Sequence, residues 1–82
     1  MQEIHLKIRG EVQGVGFRHA ILQKAQKLGL HGWARNVPDG SVEVLAQGPK
    51  PALEKFLAWT RIGPAGAKVQ RIEVSWLEVS PS

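Results

Sequence analysis

Cysteine is absent from the 82 residues. That excludes disulfides, thiolate zinc sites and a thiol nucleophile. Hydroxyls are scarce, confined to Ser41, Thr60, Ser75, Ser80 and Ser82. None falls in the glycine-rich segment 10–18, which argues against a covalent intermediate on serine or threonine there. Long apolar runs are missing too. No stretch approaches the roughly 20 residues a membrane helix needs, so no membrane partner is expected. Residues 1–20 show neither an apolar signal core nor a small-residue cleavage pattern, and the expected location is the cytoplasm. His5, His19 and His31 have no ligand spacing and the carboxylates are scattered, so neither a metal nor another cofactor is expected. Spare chain is lacking as well. A chain this short is expected to form one domain over residues 1–82, and a site must be built from core elements and their connections. Nothing in it requires more than a monomer.

Positive charge is in excess: 11 Lys plus Arg against 7 Asp plus Glu give a formal charge of +4. This favours an anionic partner, but the basic residues are spread along the chain, as on an ordinary soluble domain.

The hydropathy pattern changes period along the chain. Ile4, Leu6 and Ile8 alternate with Glu3, His5, Lys7 and Arg9, predicting a half-buried strand over residues 3–9. From Phe17 the spacing becomes helical, with Phe17, Ala20, Ile21, Ala25 and Leu28 on one stripe and Gly29 as the stop. Residues 30–37 and 41–47 read as strands joined by the turn Pro38-Asp39-Gly40, with Val42, Val44 and Ala46 on one face. Pro49-Lys50-Pro51 opens a second helix whose core stripe is Leu53, Phe56 and Leu57, ended by Gly63-Pro64. Residues 69–79 form a last strand; the parity change from Ile72, Val74 and Trp76 to Leu77 and Val79 predicts a bulge or an edge near Trp76. The order βαββαβ implies an α+β, ferredoxin-like sandwich: a four-stranded antiparallel sheet with two helices on one face.

The segment Gly10-Glu11-Val12-Gln13-Gly14-Val15-Gly16-Phe17-Arg18 joins the first strand to the first helix. Its glycines allow successive backbone N–H groups to turn inward as an anion nest, and the helix adds its unpaired donors. Arg18 lies in the first helical turn, where a cation is unfavourable unless an anion compensates it. Its guanidinium can grip a phosphoryl group with two parallel hydrogen bonds. A Walker loop is excluded because the segment has no Lys, and a dinucleotide fingerprint because His19 replaces its third glycine. Asn36, the one asparagine, ends the second strand. Its carboxamide offers donor and acceptor, which orienting a water requires. It can equally cap the turn that follows.

Together these segments closely resemble the acylphosphatases. The G-E-V-Q-G-V-G-F-R run, the later G-W-A-R-N-V-P-D-G-S-V-E-V run and Gly63-Pro64 followed by Ala67-Lys68-Val69 fit in order and separation, so the resemblance covers essentially the whole chain. It implies hydrolysis of carboxyl-phosphate anhydrides to a carboxylate and inorganic phosphate, without a metal or a covalent intermediate. It further implies that Arg18 binds the phosphoryl group, that Asn36 positions the attacking water, and that the backbone amides of Gln13, Gly14, Val15, Gly16, Phe17 and Arg18 cradle the phosphoryl oxygens. Inorganic phosphate or sulfate would then compete with the small-molecule acyl phosphate. The sequence departs from the pattern at His19, where many relatives carry an aromatic such as Tyr, and at Val37, where some carry a hydroxyl.

Two other functions fit the element order. An RNA-binding module shares it, but such domains stack bases on aromatics of the central strands, and residues 3–9 and 41–47 contain none; no nucleic-acid partner is expected. A binding-only module would keep the anion cradle without hydrolysis, yet both Arg18 and Asn36 are present.

Overall fold

The structure, a computed structural model, describes residues 1–14 and 16–78. The loop residue Val15 and the expected strand end at Val79 lie outside the described residues. The elements are β1 (Gln2–Glu11), α1 (Phe17–Lys27), β2 (His31–Asn36), β3 (Val42–Gly48), α2 (Lys50–Ile62) and β4 (Lys68–Glu78). The strands form one antiparallel sheet in the order β2-β3-β1-β4. The alternation in β1 does what a period of two dictates: Ile4, Leu6 and Ile8 are fully buried, whereas His5, Lys7 and Arg9 are not. Val42, Val44 and Ala46 of β3 pair with Ile8, Leu6 and Ile4 and join the same core. From the helices, Phe17 and Ile21 of α1 and Leu53 and Phe56 of α2 complete it.

Three details depart from the sequence pattern. In α2 the fully buried positions are Leu53, Phe56 and Thr60, with Leu57 only half-buried. Thr60 is admitted because its hydroxyl donates to the Leu57 carbonyl one turn back at 2.7 Å, so no polar atom is left unpaired. In β4 the edge position is as expected, but the bulge is not near Trp76, which pairs regularly with Ile4. The register shifts instead between Arg9 and Gly10 of β1, where Arg71 and Val69 are the partners and Gln70 is the extra residue. The parity change at the end of β4 therefore reflects an exposed edge: Trp76 and Leu77 are 41% and 60% exposed.

The outer sheet face carries ion pairs. Arg35 meets Glu43 at 2.6 Å, Lys7 meets Asp39 at 3.1 Å and Arg9 meets Glu73 at 3.6 Å. Each exposed pair contributes little by itself. Trp33 is 42% exposed here, but the Arg35 guanidinium sits 5.5 Å from its ring centre and the His5 ring meets it edge-on at 6.2 Å. Stability accordingly rests on the core. Phe56→Ala should lower the unfolding free energy by about 3–5 kcal/mol, measured by urea titration. A loss under about 1 kcal/mol would place the centre of the core elsewhere.

Candidate active site

The loop between β1 and α1 is built by two left-handed glycines. Gly14 has φ 78° and Gly16 φ 73°, and an added Cβ would meet no atom within 4 Å at either position. The requirement is therefore backbone conformation, not room. Gly16 is the N-cap of α1 and supplies no side-chain cap, and the first turn holds no acidic residue. Among the described residues, internal pairing begins with the Ala20 N–H on the Gly16 carbonyl at 3.0 Å, which leaves the amides of the first turn without a partner there and with the positive end of the helix behind them.

This end of the helix borders an open hollow of about 260 Å³ lined by Val12, Gly14, Gly16, Phe17, Arg18, His19, Leu22 and Asn36. Arg18 and Asn36, taken from different parts of the sequence, are thus brought to one hollow. Both side chains are exposed, and among the described residues neither makes a hydrogen bond or ion pair within the protein. The alternative role of Asn36 as a turn cap is filled by other groups. The Val37 N–H donates to the Ser41 carbonyl at 2.9 Å and the Gly40 N–H to the Val37 carbonyl at 3.0 Å, while Asp39 accepts from the Ser41 amide at 2.9 Å and from its hydroxyl at 2.5 Å. Among the described residues no serine or threonine lines the hollow, and no group of three or more His, Asp or Glu is placed to hold a metal ion.

A family model described as Acylphosphatase matches residues 4–82. The chain belongs to the acylphosphatase family. It is 50% identical over 74 residues to the acylphosphatase of Thermococcus kodakarensis, covering 90% of this chain and 81% of that one. To the acylphosphatase of Thermus thermophilus it is 54% identical over 71 residues, covering 87% and 81%. It superimposes on the crystal structure of acylphosphatase from Bacillus subtilis with a TM-score of 0.94 at 39% identity, covering 98% of this chain and 89% of that one. No helix among the described residues is long and apolar enough to cross a membrane.

Several features of this acylphosphatase-family site have weak sequence signals. Gln13, expected to offer its backbone amide, does not line the hollow; its side chain reaches the β2–β3 turn, where Nε2 donates to the carbonyls of Val37 and Ser41, both at 2.8 Å. Leu22 lines this hollow and also an apolar groove of about 380 Å³ between α1 and β2. Of the two departures from the family pattern, His19 lines the hollow, whereas Val37 contributes through its carbonyl.

Asp39 anchors the turn that follows Asn36. The hydroxyl of Ser41 first, then its backbone N–H and Lys7, hold the Asp39 carboxyl far below the usual carboxylate range. A native pKa below the unfolded value stabilises the fold above the unfolded pKa, and the contribution is lost as pH falls toward the native one. Asp39→Asn should therefore be less stable than the parent at about pH 7, and the gap should shrink on acidification below about pH 4. Thermal melts across that range provide the check; a gap independent of pH would show that the charge of Asp39 is not what matters.

Proposed function

We propose that this acylphosphatase-family chain hydrolyses acyl phosphates by direct attack of water, with Arg18 and Asn36 in separate roles. The observation that carries the reading is the one hollow that unites a helix N-terminus without a side-chain cap with a guanidinium and a carboxamide that have no partner among the described residues. Residues 1–82 act as one unit, and since one chain supplies every group, a monomer suffices.

The phosphoryl oxygens rest on backbone amides of Gly14, Gly16, Phe17 and Arg18, all of which line the hollow, and on the Arg18 guanidinium. Asn36 holds the water by accepting one of its hydrogens or donating to its oxygen. A bond forms from the water oxygen to phosphorus while the bond from phosphorus to the carboxylate oxygen breaks. The carboxylate leaves with that electron pair, and the water yields phosphate and a proton to solvent. A carboxylate with a conjugate-acid pKa near about 4 leaves without a general acid, so catalysis reduces to positioning and charge stabilisation. Inorganic phosphate and sulfate present the same oxygens and compete for the nest.

Steady-state release of phosphate from benzoyl phosphate tests these roles. Arg18→Gln should raise KM, weaken inhibition by phosphate and lower kcat, because the guanidinium holds both bound substrate and transition state. Asn36→Ala should lower kcat by about 10²–10³ while phosphate affinity changes little. A folded Asn36→Ala protein with parental turnover would remove Asn36 from the central step. The metal-free route predicts undiminished turnover after exhaustive chelation. Loss of activity in EDTA, restored by Mg²⁺ or Zn²⁺, would overturn it.

A further inference from the structure

We infer that the Gln13 side chain is a positioning residue, which fixes the hairpin end carrying Asn36 against the anion loop and so acts on turnover through Asn36. The inference rests on the water-positioning role proposed for Asn36.

The topology creates the need. The loop leaves the end of β1 and Asn36 ends β2, but β3 lies between these strands in the sheet. The two halves of the hollow are therefore not ladder neighbours, and the sheet relates them only through an intervening strand. Gln13 closes that gap directly. Its Nε2 donates to the carbonyl of Val37, the residue after Asn36, and to that of Ser41, each at 2.8 Å. Those carbonyls stand at the two sides of the turn's mouth, where the Val37 N–H also donates to the Ser41 carbonyl at 2.9 Å. Among the described residues these are the only side-chain hydrogen bonds between the loop and residues 36–41.

The same geometry separates Gln13 from anion binding. A primary carboxamide has two N–H donors, and both are engaged on the hairpin. Only the Oε1 acceptor is left, which offers nothing favourable to a phosphate oxygen. The residue type follows: Glu has no donors for two carbonyls, Asn is one methylene shorter, and Met fills the space without hydrogen bonding.

The test is a double-mutant cycle with benzoyl phosphate as substrate and inorganic phosphate as inhibitor. Gln13→Met should lower kcat about tenfold or more, since small misplacements of a reacting group reduce rates steeply. KM and the phosphate inhibition constant should stay within about twofold, as no anion contact is lost. In an Asn36→Ala background, Gln13→Met should lower kcat no further, because the two residues act as one unit. Circular dichroism controls the fold; if Gln13→Met does not fold, Gln13→Asn replaces it with the same expectations. The inference is overturned by parental kcat, by a rise in KM and inhibition constant with kcat unchanged, or by an undiminished effect in the Asn36→Ala background. If Asn36→Ala alone keeps parental kcat, the water-positioning role itself fails and takes the inference with it; an additive cycle on a crippled Asn36→Ala enzyme sinks the inference alone.

Discussion

Everything in this molecule is referred to β1. It is paired on both sides, to β3 and to β4, and its inward residues Ile4, Leu6 and Ile8 are at the bottom of the core. A strand held on two edges and one face cannot shift by one residue without exposing its whole apolar set. Its far end therefore delivers the glycine loop to a fixed place, and α1 starts from there with Phe17 buried as an anchor. The site has no scaffold of its own; it uses the ends of elements whose positions are already determined by burial.

The second half of the site arrives less directly. Asn36 ends an edge strand whose outward residues are exposed, so packing restrains it weakly. Polar contacts supply the restraint. Asp39 binds Ser41 within the turn and reaches Lys7 and Arg9 of β1 at 3.1 and 3.4 Å, while Gln13 binds the turn from the loop. The hairpin is thus tied to the outer face of the sheet by charge and to the glycine loop by neutral hydrogen bonds. Salt screens the first kind and affects the second much less.

What the sequence made legible follows from range. Element order came from local periodicity, and the loop from glycine density followed by a misplaced cation at Arg18; each signal is contained within about ten residues. Thr60 was missed because a hydroxyl reads as surface unless its helix carbonyl partner is known. The bulge at Gln70, opposite the step from Arg9 to Gly10, was missed because register is a property of two strands, and the parity change near Trp76 marked only an edge. Gln13 and Asp39 illustrate the same boundary. Their residue types are compatible with loop and turn, but Gln13 bonds a turn more than twenty residues away and Asp39 bonds cations of β1, and no pattern within one segment encodes such pairs.

The start of α1 shows how local stability and chemistry are set against each other. A helix is stabilised by a Ser, Thr, Asp or Asn N-cap and by acidic residues in its first turn. Here the N-cap is Gly16, no side chain caps it, and the first turn carries Arg18 with no acid. Every omission weakens the isolated helix, and every omission keeps donors or positive charge directed at the hollow. An aspartate cap would satisfy the same amides that the proposed phosphoryl group requires and would place a like charge beside it. The helix tolerates the deficit because Phe17 and Ile21 fasten it to the core from the other side, so burial of one face supplies the stability that its terminus withholds.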